Sequence, residues 1–356
     1  MTPSAEESGI KALDLDGLKR LVRAAKHEDY RSQQLTEWLY QHAVSSYDEM
    51  GNLPKSLREF LKAHAPLSAP KLISRQISSA DGTRKYLFAL GAGAFVESVG
   101  LPSKDRLTVC FSTQIGCRLG CTFCATGLHG FVRDLLPGEM VDQVNLVARD
   151  FRSRATNAVA MGQGEPFANY AHTMAALRIL NSPAGPGIGA RHITVSTCGL
   201  LEGIRKFAKE PEQFTLAVSL HSAVQSTRNR LMPGVRNQPL LALRSELTNY
   251  IAVSGRRPTL EFALLQGVND TTYELESLID FSTELACHIN LIPANPVPGG
   301  PYRPSPGNRV SAIESALKKA GIQVSVRTER GADIDAACGQ LKGQHETRPH
   351  HRRLPE

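Results

Sequence analysis

Residues 107–124 read LTVCFSTQIGCRLGCTFC, and this stretch carries two patterns in succession. The first, over 107–113, alternates: Thr108, Cys110 and Ser112 fall on one face and Leu107, Val109 and Phe111 on the other, which predicts a strand. The second is a loop in which Cys117, Cys121 and Cys124 follow the spacing C-x₃-C-x₂-C, with Gly116 and Gly120 permitting the sharp bend that lets three thiols face one point. A strand that empties into a loop of ligand-type side chains is the unit from which parallel α/β folds build their sites.

The unit repeats downstream. Strands are expected at 157–161, 192–196, 214–219, 258–264 and 288–292, with a last one near 322–328. Helices are expected at about 139–152, 171–180, 200–209, 240–254, 272–285 and 308–320. Six successive βα units imply a parallel sheet in one domain of about 95–340, either doubly wound or a full or partial barrel. Periodicity does not choose between these. In either, the ligand site lies at the carboxyl ends of the strands. Those ends read MGQGEP with Gly164 and Glu165, Ser196-Thr197-Cys198-Gly199, Ser219-Leu220-His221-Ser222, QGVND at 266–270 and Asn295-Pro296. Nearly every strand delivers a polar or glycine-bearing end, which predicts a composite site on that rim.

Upstream, apolar residues recur at helical spacing in three short stretches: Leu13, Leu18, Leu21 and Val22; Leu35, Trp38 and Leu39; Leu57, Phe60 and Leu61. Ser46 with Glu49 suggests a capping box, and Pro54 opens the third stretch. Residues 1–83 are therefore expected to form a small helical unit, either a docking module for RNA or a cap on the larger domain. RKYLFAL and AFVESVGL, turned by glycines in GAG at 91–93, predict a β-hairpin linker over 84–102. The core is expected over 103–340, and 341–356 as a basic, solvated tail.

Ordinary apolar and charged fractions and the lack of a membrane-length apolar run predict a soluble protein with no membrane partner. The N-terminus has neither a secretion-type apolar region nor an Arg-rich transit character, so a cytoplasmic location is expected. Seven cysteines, three of them crowded into one loop, read as metal ligands rather than a disulfide framework. A net charge of +7 is compatible with a polyanionic partner.

Three thiolates on one loop suit one corner of a [4Fe–4S] cluster and leave the fourth iron open to an exchangeable ligand. Structural zinc takes four ligands, usually from paired knuckles, and no second pair lies nearby in the sequence. The Glu165 carboxylate, beside a glycine, suits an ammonium group, while Ser196, Ser219, His221 and Asn295 are candidates to hydrogen-bond the rest of a ligand.

Across nearly its whole length the chain resembles the RlmN and Cfr group of radical S-adenosylmethionine RNA adenosine methyltransferases. The resemblance rests on YRSQQLTEWLYQ, YDEM with NLPKSLRE, CFSTQIGCRLGCTFCATG, MGQGEP, HITVSTCG, SLHS, GVND, NLIPANP and DIDAACGQL. It implies a partial (β/α)6 barrel with a small N-terminal helical domain. It also implies a [4Fe–4S] cluster on Cys117, Cys121 and Cys124, two S-adenosyl-L-methionine molecules per turnover, and cofactor contacts from Gly164, Glu165, Ser196, Ser219, Leu220, His221 and Asn295. Cys338 matches the cysteine that is methylated first, Cys110 the thiol that resolves an RNA–enzyme adduct by a disulfide with Cys338, and Glu97 the proton acceptor. The implied partners are 23S rRNA in its peptidyl-transferase region, tRNA at the adenosine beside the anticodon, and a low-potential electron donor of flavodoxin or ferredoxin type; a monomer is expected. Gly-Glu-Pro and Ile-Pro-Ala-Asn-Pro resemble the C2-methylating branch, and Gln163 departs from the methionine common in the family.

Three other readings compete. One is a Cfr-like C8 methyltransferase, another a non-catalytic iron–sulfur RNA-binding protein, and the third a glycyl-radical-activating enzyme. Neither of the last two has a use for Cys110, Glu97 and Cys338 together.

Overall fold

The computed structural model describes residues 9–91, 93–295 and 300–341. The basic tail from Lys342 onward, Pro296 and the Ala92 position of the GAG turn lie outside the described residues. Three helices open the chain, α1 (Leu15–Ala24), α2 (Tyr30–Tyr40) and α3 (Lys55–His64). Asp14 caps α1 by accepting the Gly17 N–H, and Ser46 and Glu49 form the expected capping box ahead of α3. Their apolar stripes, Leu18 and Val22, Leu35 and Leu39, Leu57 and Leu61, are buried in the same core that fills the space under the sheet.

β1 (Lys71–Ile77), β2 (Arg84–Ala89), β3 (Phe95–Ser103) and β4 (Arg106–Phe111) pair antiparallel. From β4 the direction is constant through β7 (Asn157–Ala160), β8 (Ile193–Thr197), β9 (Thr215–Ser219), β10 (Thr259–Leu264), β11 (His288–Pro293) and β12 (Gln323–Val326). Together they make one ten-stranded sheet in the order β1-β2-β3-β4-β7-β8-β9-β10-β11-β12. The crossovers are α5 (Pro137–Phe151), α6 (Tyr170–Asn181), α7 (Leu201–Ala208), α9 (Leu240–Ser254), α10 (Thr272–Ser282) and α11 (Gly307–Lys319), one for each expected βα unit. Ala158, Val195, Leu216, Val218, Leu260 and Ile289 lie on one face of the sheet and bury it in the core shared with the crossover helices. Of the two architectures left open, this is the partial barrel.

Two expectations are corrected. Residues 84–102 are no linker, because β3 pairs with β4 and extends the barrel sheet. Nor is 1–83 wholly helical, since β1 occupies Lys71–Ile77 with all seven residues exposed, and an edge strand with no buried face leaves no alternation to read. Asp150 on α5 fastens this extension by accepting from Tyr86 Oη and Arg84 Nη1, each at 2.7 Å, and by pairing with Arg75. Three further elements lie between predicted ones: α4 (Ala125–Leu128), α8 (Gln225–Leu231) and a two-stranded ribbon of β5 (Gln114–Gly116) with β6 (Phe131–Asp134).

The N-terminal helices dock on α5. Lys11 Nζ contacts both carboxylate oxygens of Asp142 at 2.7 Å with both residues buried, Asn145 Nδ2 donates to the Tyr40 carbonyl, and Arg149 to those of His42 and Ala43. Burial pushes the Asp142 carboxyl up from its ordinary value and Lys11 opposes the shift, so the carboxylate depends on its partner. Lys11→Met is therefore expected to lower unfolding stability by about 3–5 kcal/mol, the usual penalty for stranding one member of a buried pair. Denaturant unfolding of the single variant and of Lys11→Met/Asp142→Leu measures it, with the double variant recovering much of the loss. No helix of the described residues is long and apolar enough to cross a membrane.

Candidate active site

The cysteine loop is shaped from both sides. Gly116 has φ +72°, and a Cβ there would stand 2.0 Å from the Gly130 carbonyl oxygen, which accepts the Cys117 N–H at 2.7 Å. Only glycine fits where the β5–β6 ribbon closes on the loop. On the other side the segment around α8 grips the loop backbone: Thr122 N–H donates to the Leu231 carbonyl and Gly234 N–H to that of Leu119. Leu119 and Cys121 pack with Leu231, Met232, Val235 and Leu265 in a small apolar cluster of their own.

Cys117, Cys121 and Cys124 then line one cavity at the carboxyl ends of the strands, together with Gly164, Glu165, Ser196, Ser219, His221, Asn295 and Cys338. All seven cysteines are free thiols. Burial pushes the Cys117 thiol up to about 12 and raises that of Cys124, so a metal must displace protons from them to bind. Among the described residues no three His, Cys, Asp or Glu side chains converge closely enough to hold a single ion. Thiols spread along one loop instead suit a polynuclear iron–sulfur group, in which each thiolate takes a separate iron.

Glu165 is buried, with Oε1 accepting the Phe167 N–H at 2.9 Å and Oε2 the Cys198 N–H at 2.7 Å. Burial raises its carboxyl from the ordinary value and the amide donors oppose the shift. Gly164, with φ +100°, serves packing: a Cβ would lie 2.6 Å from that of Gln114, whose side chain accepts the Glu165 N–H. Ser196 and Ser219 place their hydroxyls 3.5 Å apart. His221 accepts the Ala263 N–H on Nδ1, which puts the ring proton on Nε2, and burial, with a smaller contribution from Arg228, lowers its pKa to about 3. It is a neutral donor. Asn295 donates through Nδ2 to the Cys338 carbonyl at 3.4 Å, while its Oδ1 is buried and accepts from no group among the described residues. An orphaned buried acceptor in a polar cavity fits a ligand that brings an N–H or O–H.

Leu220 does not line this cavity; its side chain belongs to the main core. Its N–H and carbonyl are spent on the Glu261 carbonyl and Arg228. Cys338 faces a second cavity as well, and Cys110 lines it with Val99, Leu101 and Arg327. The C-terminal arm is tied to the cysteine loop: Ala125 N–H donates to the Gly339 carbonyl at 2.7 Å and Thr126 Oγ1 to that of Leu341. Burial pushes the Cys110 thiol up to about 12, Cys338 adds to the shift and Arg327 opposes it. Glu97 lines neither cavity. It pairs with Lys85 at 3.7 Å and stands two residues before Val99, on the face of β3 that walls the second cavity. Gln163 is buried and accepts the Glu97 N–H on Oε1 at 3.0 Å, linking this strand to the MGQGEP loop.

Two residues here exceed the sequence reading. Cys198, named in the sequence only as part of a strand end, lines the first cavity and packs in the apolar cluster that holds Cys121. Arg228 lies on the unexpected α8 and is 1% exposed. Cys287 is buried in the main core.

A parallel barrel with a three-thiol loop after its first parallel strand defines a radical S-adenosylmethionine enzyme, and residues 111–270 match the family described as the radical SAM superfamily. Residues 10–67 match a second family, the ribosomal RNA large subunit methyltransferase N-terminal domain. The chain is 45% identical over 334 residues to the "Probable dual-specificity RNA methyltransferase RlmN" of Pelotomaculum thermopropionicum, covering 94% of this chain and 91% of that protein. A protein of the same description from Geobacillus kaustophilus is 45% identical over 338 residues, covering 94% and 92%. The crystal structure of a radical SAM methyltransferase from Sphaerobacter thermophilus superposes with a TM-score of 0.88 at 42% identity, covering 94% of this chain and 99% of that one. The chain belongs to the RlmN family of radical S-adenosylmethionine RNA methyltransferases.

Proposed function

We propose that this enzyme methylates C2 of an adenosine in the peptidyl-transferase region of 23S rRNA and of the adenosine beside the anticodon in tRNA, passing the methyl group through Cys338. The observation that carries the reading is the shared wall of the two cavities: Cys338 faces the three-thiol loop on one side and Cys110 on the other. The relatives' dual RNA specificity and the basic charge of the chain support the substrate class.

Cys117, Cys121 and Cys124 would hold a [4Fe–4S] cluster, while Glu165, Ser196, His221 and Asn295 would orient S-adenosylmethionine against it. Bound there, the two groups supply a methyl cation equivalent and, with one electron from a flavodoxin- or ferredoxin-type donor, a radical that removes hydrogen. Two cofactor molecules are consumed per turnover.

In the first half-reaction the Cys338 thiol would lose its proton and take the methyl group: a C–S bond forms, the bond between that methyl and the sulfonium sulfur breaks, and S-adenosylhomocysteine leaves. Adenine C2 is a poor nucleophile, so attack on a sulfonium methyl is unfavourable, whereas a carbon radical on the Cys338 methylene adds to it. The base must be unstacked to reach the cavity. Glu97 accepts the proton displaced from C2, and the unpaired electron left by the addition returns to the electron-transfer chain that supplied it, so that a closed-shell RNA–enzyme adduct remains. Cys110 then attacks the Cys338 sulfur: an S–S bond forms, the C–S bond to the transferred carbon breaks, and a proton returns to that carbon to complete the methyl group. The chain acts as a monomer.

Resolution of the adduct needs the Cys110 thiolate, and a thiol held near 12 is almost fully protonated at neutral pH. Because the pKa is raised, the thiolate fraction grows with pH throughout the range below it. Release of methylated RNA from the adduct is therefore expected to accelerate about tenfold per pH unit between pH 6.5 and 8.5, measured by quenched single-turnover assays.

The reading is tested by reconstituting the protein anaerobically with iron and sulfide and incubating it with RNA deuterated at adenosine C2. Loss of deuterium from the methylated adenosine is expected. Methylated adenosine that retains it would assign the C8 carbon instead.

A further inference from the structure

Arg228 lies behind the cysteine loop in a setting that calls for an anion. Nη1 donates to the carbonyls of Ser219 and Leu220 at 3.0 and 2.6 Å and to Met232 Sδ at 3.1 Å, and Nη2 to the Cys198 carbonyl at 2.6 Å. Every acceptor is neutral. Nε is buried with no partner, and among the described residues Arg228 forms no ion pair. Burial accordingly lowers its pKa, opposed by the nearby thiols of Cys198 and Cys121. A guanidinium stripped of water and given no carboxylate is costly, and proteins retain such a charge where something compensates it. Arg327, half-buried in the same region, differs: beside the Cys338 thiol it has the Glu261 carboxylate to hold it charged.

The chemistry of the neighbouring loop supplies the missing anion. Three thiolates on an iron–sulfur cluster give a net negative group, and one-electron reduction adds a further negative charge without a proton. Arg228 is one residue removed from that group. Its Nη2 holds the carbonyl of Cys198, which packs with Cys121 in the same small apolar cluster, and the same α8 segment binds the loop backbone at Thr122. We propose that Arg228 is the buried countercharge of the cluster held by Cys117, Cys121 and Cys124, and that it raises the cluster's reduction potential so that the low-potential donor can reduce it. The inference rests on the cluster assignment made above. It gives Arg228 two roles. As a positioning residue it sets the ends of β8 and β9 through its carbonyl contacts, and electrostatically its charge favours the more negative state of the cluster.

The test is a potentiometric titration followed by electron paramagnetic resonance on anaerobically reconstituted protein, with neither S-adenosylmethionine nor RNA present. Arg228→Gln is expected to lower the midpoint by about 60 mV, a tenfold fall in the reduced-to-oxidised ratio for a one-electron couple. Arg228→Lys, which keeps the charge and loses most of the carbonyl contacts, is expected to titrate with the wild type. Met232→Glu, which sets a carboxylate beside Nη1 without removing the arginine, is expected to lower the midpoint as far as Arg228→Gln, with Met232→Gln as its control. This arm decides the matter should the glutamine variant fail to fold. A charge-neutralised variant titrating at the wild-type midpoint would overturn the inference, as would a lysine variant displaced as far as the glutamine one. A wild-type protein that holds no reducible cluster would instead overturn the cluster assignment itself.

Discussion

Cys338→Ala is expected to abolish RNA methylation while leaving cluster loading and reductive cleavage of S-adenosylmethionine intact. The contacts that seat the C-terminal arm are made by backbone, through the Gly339 carbonyl to Ala125 and the Cys338 carbonyl to Asn295, so truncating the thiol would remove the proposed methyl carrier without releasing the arm. The cluster loop and the residues expected to hold the cofactor are untouched. Product formation should fall below detection while 5′-deoxyadenosine still accumulates, both read by chromatography of one reaction. A variant that still methylated RNA would remove Cys338 from the reaction path.

Cys110→Ala is expected to stop the reaction one step later, with RNA covalently attached to protein. Cys110 is buried against Val99, Ala336 and Leu341, and its loss costs about 1 kcal/mol of folding stability, the ordinary effect of a small buried truncation. Chemically its absence leaves the bond between the Cys338 sulfur and the transferred carbon with nothing to break it. A denaturation-resistant complex of RNA and protein should therefore appear on a gel, approaching one RNA per protein, where the wild type shows little. Full turnover by this variant would show that the adduct is resolved by another group.

The barrel was legible because every parallel strand is a short apolar run that ends in a polar loop, and every crossover keeps a helical apolar face. Segments with no such face were not. β1 is exposed along its whole length, and α8, reading QSTRNRL, has one aliphatic residue and buries an arginine, against the usual exposure of that side chain. The β5–β6 ribbon is too short for a period and is set by the contact of Gly116 with Gly130.

Within the site, Glu165, Ser196, Ser219, His221 and Asn295 could be singled out because they end strands, and the fold brings those ends together. Cys198 ends a strand too, but its packing beside Cys121 depends on a loop far away in sequence. The same limit applies to the C-terminal arm: Thr126 and Leu341 are 215 residues apart, and nothing local to DIDAACGQL states that it lies against the cysteine loop. Leu220 shows the opposite failure, since a strand-end position between two cavity residues is itself turned into the core.

Peptide mapping by mass spectrometry, on reconstituted protein given isotope-labelled S-adenosylmethionine before any RNA is added, tests the route of the methyl group most directly. The label is expected on Cys338, and it should pass to adenosine C2 when RNA and reductant follow. Labelled RNA obtained from protein whose Cys338 never carries the label would contradict a transfer through this cysteine.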